Sequence, residues 1–340
     1  MRPFSRLRPR RLRNKSRGFT LLEVLVTLGI LLVILVATME FMNDVDQAWK
    51  SADADPFAEA QNAFETVAHN LAAATLAPYQ DYADVSGSFR TNSAFVPDHL
   101  ARRSDLDFVC GLTTGTTGLL GASGLTTTGC SVFFLAPNGY TQIDAHTGAE
   151  RLLNAMGYLV EFGDDTTAPG FILPQTHCWR WRLKQVHQPA ESLQIFATNT
   201  SAAWIQQVVP TGAALPILAE NVITLIVLPE RAANDSGPAL APAFSYDSRD
   251  TNTPLTLHQL PPRTRLVLVA IDPTAAQRLA AQNGANPPAL VPASLFQEAA
   301  QLDADLATLD NALNAQQIAH RIFQREILLQ SSSWSNTPSP

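Results

Sequence analysis

The chain has 340 residues, of which 46% are hydrophobic and 16% charged, with a formal net charge of −7. This composition is typical of one or two globular domains with a hydrophobic core, and it excludes a wholly disordered chain. Eight of the 23 basic residues and no acidic residue precede residue 18, which leaves 15 basic against 30 acidic residues from residue 19 onward. Because so acidic a body repels phosphate, we expect no nucleic-acid partner.

The basic leader, residues 1–18, is followed by a 21-residue apolar run at 19–39, FTLLEVLVTLGILLVILVATM. A helix of that length spans about 31 Å, close to the thickness of the hydrocarbon core of a membrane. The positive leader is typical of a segment that stays in the cytoplasm. Glu23 is the one charged residue in the run, and a charge there costs roughly 2.5–3.5 kcal/mol on insertion scales. Such a residue usually has a partner.

Three interpretations compete for this segment. A cleaved secretory signal would have a shorter apolar region followed by a cleavage site of small residues. A simple signal anchor fits the length of the run but leaves Glu23 unexplained. A third interpretation supplies a partner for Glu23, and it comes from the residues on either side of the boundary between leader and apolar run.

Residues 17–23, RGFTLLE, resemble the type IV prepilin and pseudopilin signal. The resemblance implies that a prepilin peptidase/methyltransferase cuts after Gly18 and methylates the new N-terminal residue, Phe19. It also implies that Glu23, at the fifth mature position, pairs with the N-terminal amine of a neighbouring subunit. The further partners implied are other pilin-like subunits, the inner-membrane assembly platform and membrane lipid.

After the membrane run, residues 40–77 are predicted to continue the helix. From Phe57 the apolar residues form two rows with a step of seven, which is typical of a narrow helical stripe. Pro56 is expected to interrupt or kink the helix, with Asp53 or Asp55 capping its restart, and Pro78 is expected to end it.

The globular head is predicted to span residues 78–330, before a polar tail at 331–340. Short apolar runs with a period of two, separated by Gly, Pro, Thr and Asn, predict strands at 106–110, 130–136, 158–162, 179–186, 193–196, 205–209, 222–228, 265–271 and 321–330. A helix is predicted from Asp272-Pro273 to Gly284, and another over about 294–317, with leucines on one face. The polar stretches 111–129 and 231–254 are predicted to be long loops.

The head also resembles one group of pilin-like proteins, the Verru_Chthon cassette protein C family. The matching stretches follow the family order over most of the chain, at residues 74–76, 79–82, 104–111, 132–137, 158–163, 181–183, 188–189, 194, 218–222, 268–272 and 321–323. The chain departs from the pattern at Cys130. The resemblance implies a pilin-like component without fixing its biological task.

The three cysteines give no disulfide framework by their number alone. Cys110 ends one predicted strand and Cys130 starts the next, so a hairpin could bring them within the separation of ~5.5–6 Å between Cα atoms that a disulfide needs. The alternative is that both are small buried residues, and the departure at Cys130 leaves the pairing open. Cys178 has no predicted partner.

The sequence contains no G-x-S-x-G, H-E-x-x-H, C-x-x-C, P-loop or G-x-G-x-x-G motif. His177 and Cys178 are adjacent in sequence, and neighbouring positions on a strand point to opposite faces, so they make a poor pair of metal ligands. Asp164 and Asp165 are typical of a solvated turn, and a calcium site there is the alternative. We therefore expect no cofactor and no metal.

The predicted fold class is α+β: a long N-terminal transmembrane helix of the pilin type, packed on a mainly antiparallel β-sheet head with extra C-terminal helices. The predicted function is a non-enzymatic, minor pseudopilin-type subunit of a type IV pilus or a type II secretion-like structure. Its predicted place is the inner membrane, with a cytoplasmic N-terminus and a periplasmic head. The rival hypothesis is a stand-alone signal-anchored periplasmic binding domain or enzyme.

Overall fold

The structure is a computed structural model that describes most of residues 55–337 and part of residues 21–42. Between 55 and 337 it leaves out 91–93, 114–117, 122, 147, 150, 165–177, 198–201 and 211–213. Before residue 55 it covers 21, 25, 26, 28–36, 38, 39 and 42. The chain divides into two units, Met1–Asp55 and Pro56–Pro340. The second unit contains the head.

Helix α1, Ala58–Ala72, opens the second unit. The two predicted rows of apolar residues are confirmed as its buried side: Phe57, Ala60, Phe64, Val67, Leu71 and Ala74. Residues three, four and seven apart lie on one face of a helix, so this spacing gives α1 a continuous apolar stripe.

Both ends of α1 differ from the prediction. The helix ends at Ala72 rather than near Pro78, because the chain turns away to other partners: the Thr75 N–H donates to the carbonyl oxygen of Leu135 (2.8 Å). At the start, Phe57 occupies the N-cap position without a side-chain capping bond, and Asp55 lies two residues before it. Asp53 lies outside the described residues.

The described strands form three sheets, and all their pairings are antiparallel. The smallest pairs β1 (Tyr79–Ala83) with β2 (His99–Arg103). The largest has the order β7-β6-β5-β4-β3-β9, built from β3 (Phe108–Leu112), β4 (Thr127–Pro137), β5 (Leu153–Gly163), β6 (Arg180–Gln188), β7 (Ile217–Glu220) and β9 (Tyr246–Asp247). The third sheet places β10 (Arg263–Ile271) between β8 (Val222–Glu230) and β11 (His320–Leu328).

Seven of the nine predicted strands are confirmed with shifted ends, and two are wrong. Residues 193–196 lie in 3-10 turns, and 205–209 overlap a short helix, α2 (Ala203–Val208). The buried residues of α2 are Trp204, Ile205 and Val208, which is the spacing of a helix face. A short apolar cluster fits a strand as well as a helix, so the pattern alone predicted the wrong element. Strands β1, β2, β7 and β9 were missed.

Two later helices lie between β10 and β11 in sequence, and the first is as predicted. Helix α3, Pro273–Asn283, is capped by Asp272, whose carboxylate accepts from the N–H groups of Thr274 (2.9 Å) and Ala275 (3.3 Å). Gly284 follows it with a φ of 53°.

Helix α4, Leu302–Ala315, is shorter than the predicted 294–317. Phe296 has a φ of 59°, and its N–H donates to the Asp305 carboxylate (2.8 Å), so the chain before α4 is held in a turn. The predicted leucine face of α4 is buried: Leu302, Leu306, Leu309 and Leu313.

Helix α1 contacts both larger sheets. On the three-stranded sheet, Phe64 stacks on Phe323 of β11 with ring centroids 5.7 Å apart. On the six-stranded sheet, the Asn70 amide donates to the Tyr158 hydroxyl of β5 (2.7 Å). The head is therefore α+β, with antiparallel sheets and a helix lying across them, as expected of a pilin-like head.

A close backbone approach joins the two larger sheets where β4 bulges. Gly129 has a φ of +68°, and a Cβ there would lie 2.3 Å from Thr224 Oγ1 and 2.5 Å from the carbonyl oxygen of Leu225 in β8. Any other residue would be strained in its backbone and would clash with β8. Glycine at this position lets the two sheets share one core.

A second glycine generates a test of the register of the large sheet. Gly157 of β5 pairs with Phe133 of β4, and a Cβ would lie 2.3 Å from the Phe133 ring. Because that ring is fully buried, we expect Gly157→Ala to lower the free energy of unfolding by about 1–3 kcal/mol through overpacking. Thermal and denaturant unfolding of the detergent-solubilised protein measures this.

The matched control is Gly111→Ala in β3, where a Cβ would meet Leu119 at an ordinary 3.6 Å. We expect a change smaller than about 1 kcal/mol there. Adding Phe133→Leu to Gly157→Ala should restore part of the loss. Equal stability of the two alanine variants would contradict the described packing of Phe133 on Gly157.

Candidate functional site: the N-terminal segment

The apolar segment near the N-terminus is helical wherever the structure describes it, at residues 21, 25, 26, 28–36, 38, 39 and 42. Its large apolar side chains, from Leu21 to Met42, are between 48% and 82% exposed. A helix that is apolar on all sides has no polar face to turn toward water. The exposed surface is therefore unlike the rest of the chain, whose apolar residues form one core cluster in the head.

The one described polar side chain in this segment forms a hydrogen bond within its own helix. The Thr38 hydroxyl donates to the carbonyl oxygen of Leu35 (2.9 Å), so it is satisfied without water. Thr20 and Thr27 lie outside the described residues.

The predicted processing and assembly residues, Gly18, Phe19 and Glu23, also lie outside the described residues. Searched over the described residues alone, the structure contains no helix both long and apolar enough to cross a membrane. The structure describes only part of the predicted run at 19–39, namely residues 21, 25, 26, 28–36, 38 and 39.

In the head, the described residues contain no group of three or more His, Cys, Asp or Glu side chains able to hold a metal ion. Cys178 is partly buried and Asp164 directly follows β5, while His177 and Asp165 lie outside the description. Trp179 stacks on Phe162 with ring centroids 5.9 Å apart, and Trp181 packs against the same ring in a tilted arrangement at 5.2 Å. Both tryptophans therefore serve packing.

The cysteines of the predicted hairpin are both free thiols in the structure. They lie on adjacent strands, but the register pairs Cys110 with Val132 and Leu112 with Cys130. The two cysteines are therefore diagonal neighbours, which lie about 7–8 Å apart in an antiparallel sheet, farther than the Cα separation that a disulfide prefers. Burial raises the pKa of the Cys130 thiol to about 12 and that of Cys110 well above its usual value.

A buried carboxylate that the sequence did not single out is the most enclosed acidic group of the described head. Asp107 is fully buried; its two oxygens accept from Trp204 Nε1 (2.9 Å) and Ser248 Oγ (2.8 Å). Burial raises the pKa of its carboxyl, against the effect of these hydrogen bonds. Since both oxygens accept hydrogen bonds inside the core, Asp107 ties α2 and the chain after β9 to β3, and its burial keeps it away from solvent.

Comparison with known proteins supports the N-terminal segment as the functional one. The family model of the prokaryotic N-terminal methylation motif matches residues 13–39, which include Gly18, Phe19 and Glu23. The match supports a type IV pilin-like precursor of the kind that prepilin peptidase processes, and it indicates assembly with other pilin-like subunits in general. Comparisons with curated proteins and with solved structures find no match to the chain.

The cysteine geometry generates a prediction about thiol reactivity. We expect a maleimide to modify Cys178 first in the folded protein, because Cys110 and Cys130 are buried and their raised pKa values leave little thiolate. After unfolding without reductant, all three cysteines should be modified, as counted by mass spectrometry. Two cysteines that react only after reduction would instead show the disulfide predicted from the sequence.

Proposed function

We propose that this chain is a minor pilin-like subunit, processed at its N-terminus and assembled with other pilin-like subunits in a type IV pilus or type II secretion-like structure. The observation that carries the proposal is the methylation motif at residues 13–39. It combines the basic leader, the Gly18–Phe19 junction and Glu23 with an apolar segment that is helical and exposed wherever it is described.

Processing is the first step of the proposed mechanism. The peptidase cuts the peptide bond after Gly18 on the cytoplasmic side, and a methyl group is transferred to the amine of Phe19. The leader holds eight basic residues and no acid, and such a charge bias keeps a segment in the cytoplasm. The N-terminus is therefore cytoplasmic, and the head lies on the periplasmic side of the inner membrane.

Assembly is the second step, and Glu23 carries it. A carboxylate alone among apolar side chains costs roughly 2.5–3.5 kcal/mol on insertion scales. An ammonium group at Phe19 of a neighbouring subunit carries the opposite charge, so the two groups neutralise each other only when subunits stack. The unpaired carboxylate raises the free energy of the single subunit in the membrane, and pairing removes this penalty, so the assembled state is favoured.

The apolar helix can move from lipid into a bundle of like helices at little hydrophobic cost, because lipid tails and apolar side chains are similar surroundings. Its exposed leucine, isoleucine and valine side chains suit either surrounding. The driving force for assembly then comes from packing and from the pairing of Glu23, with the assembly platform and lipid as the other partners.

The head supports a minor rather than a major subunit. About 260 residues follow Pro78, which is a large load for a subunit repeated along a filament. Its order of short motifs is similar to the Verru_Chthon cassette protein C family, and we propose that family as its relative. The head then decorates the assembly and contacts partners or cargo.

The proposed processing predicts the mature N-terminus. We expect the protein recovered from membranes to begin at Phe19 and to carry one N-methyl group, as measured by mass spectrometry of the N-terminal peptide. A bulky or charged residue at position 18 should block cutting, while Gly18→Ala should reduce it only moderately. An intact N-terminus beginning at Met1 or Arg2 would contradict the proposal.

The proposed assembly predicts the effect of removing one charge. Glu23→Gln should leave membrane insertion intact or ease it, because a charge leaves the apolar run. Cleavage after Gly18 should survive, since it precedes assembly. Crosslinking and co-purification with other pilin-like subunits should be lost.

The matched control is Glu40→Gln, which removes the same charge just beyond the apolar run and should keep the crosslinks. Under the rival hypothesis of a signal-anchored periplasmic binding domain or enzyme, both variants should behave alike. An unchanged crosslinking pattern in Glu23→Gln would therefore sink the assembly mechanism even where the leader is correctly removed.

A further inference from the structure

An open cleft of about 330 Å³ lies in the head between the β1–β2 hairpin and the chain that follows β9. Its walls include the guanidinium-bearing residues Arg103 and Arg249, the imidazole of His258, and the apolar side chains of Phe89, Ile195 and Phe196. Cationic and apolar groups thus face one space, in a chain that has twice as many acidic as basic residues after its leader.

Arg103 is held in place without using its hydrogen-bond donors. Its guanidinium lies 4.7 Å from the centroid of the Phe89 ring, a cation–π contact. It forms ion pairs with the carboxylates of Asp81 (3.6 Å) and Asp105 (3.8 Å), and both distances are longer than a good hydrogen bond. Within the described residues, this guanidinium is positioned but makes no hydrogen bond, and its side chain is 34% exposed.

Arg249 brings a second positive charge to the same space. Its guanidinium donates to the carbonyl oxygens of Ile195 (3.4 Å) and Asp105. Its charge also acts on the buried carboxyl of Asp107. The two hydrogen bonds fix the cation at the wall of the cleft next to the apolar side chains.

His258 brings an unsatisfied polar atom to the same space. Its Nδ1 is buried and has no hydrogen-bond partner among the described residues. Burial is the main reason that its pKa is lowered to about 4; the charges of Arg102, Arg103 and Arg249 act in the same direction and Asp105 in the opposite one. The imidazole is therefore neutral at pH 7.

We infer that this cleft binds a carboxylate attached to an apolar group. The planar guanidinium of Arg103 matches the two oxygens of a carboxylate, and Phe89, Ile195 and Phe196 offer contact area to the apolar part. Asp81 and Asp105 lie close enough to repel a dianion such as phosphate, so a singly charged group fits better. The C-terminus of a polypeptide and a free organic acid both have this chemistry.

The inference goes beyond the proposed function, because it concerns the head and does not depend on processing or assembly. Its test uses the full-length protein in detergent and N-acetyl-leucine as the probe, with isothermal titration calorimetry as the measurement. We expect saturable binding of N-acetyl-leucine with a Kd below about 1 mM, and at least tenfold weaker binding of N-acetyl-leucinamide, which lacks the charge.

Arg103→Gln should weaken binding of N-acetyl-leucine at least tenfold. The matched control, Arg278→Gln, removes the same charge from α3, away from the cleft, and should leave binding unchanged.

Phe196 is 59% exposed, so Phe196→Ala should fold normally. It should weaken binding of N-acetyl-leucine severalfold and leave that of acetate unchanged. This variant keeps the test decisive if Arg103→Gln unfolds.

A third ligand, 4-methylpentanoate, distinguishes the two sources of the carboxylate. Weaker binding of this acid than of N-acetyl-leucine supports a polypeptide C-terminus, because the amide then contributes; equal binding supports a free organic acid. Equal binding of the amide and the acid, equal effects of Arg103→Gln and Arg278→Gln, or no saturable binding of either acid would overturn the inference.

Discussion

Helix α1 buries Phe64, Val67 and Leu71 in the core that the two larger sheets share. Each such side chain stabilises the fold by roughly 1.5–3 kcal/mol, so together they are comparable to the whole net stability of a domain, about 5–15 kcal/mol. The ion pair between Glu65 of α1 and Arg325 of β11 is half exposed, and such pairs contribute about 0–1 kcal/mol. The apolar stripe, rather than the ion pair, therefore holds α1 against both larger sheets, which are not joined to each other by pairing of the described strands.

Buried polar groups in the head fix the ends of irregular segments, whereas the apolar side chains stabilise the core. Arg182 is 1% exposed and donates to the carbonyl oxygens of Gly163 (2.7 Å) and Cys178 (2.9 Å). It thereby ties together both ends of the long connection between β5 and β6, with Glu220 balancing its charge. Asp107 does the same for the chain around α2 and β9. In both cases several partners satisfy a charged group that is costly to bury. Removing one partner would leave that group buried without full compensation and would destabilise the fold.

The N-terminal segment and the head meet opposite demands on apolar surface. The head buries most of its large apolar side chains in one core, while the described part of the N-terminal segment exposes them. An exposed apolar surface of that size is typical of a segment that contacts lipid or other apolar helices. This contrast agrees with the methylation motif at residues 13–39, which supports an N-terminal membrane anchor of the kind that pilin-like proteins have.

Local rules were enough for the features that depend on neighbouring residues. The seven-residue repeat of α1, the Asp272–Pro273 start and Gly284 end of α3, and most strands could be predicted. The N-terminal methylation motif could be predicted too, while the roles of Gly18, Phe19 and Glu23 within it stay predictions. The short apolar clusters at 193–196 and 205–209 were assigned wrongly, because a few apolar residues fit either a strand or a helix until packing selects one. Only the tertiary structure decided the remaining features, since each depends on contacts between distant parts of the chain that no local pattern encodes. These features are the order of the strands in the sheets, the approach of Gly129 to β8, the bond from Trp204 to Asp107 across 97 residues, and the cleft at Arg103.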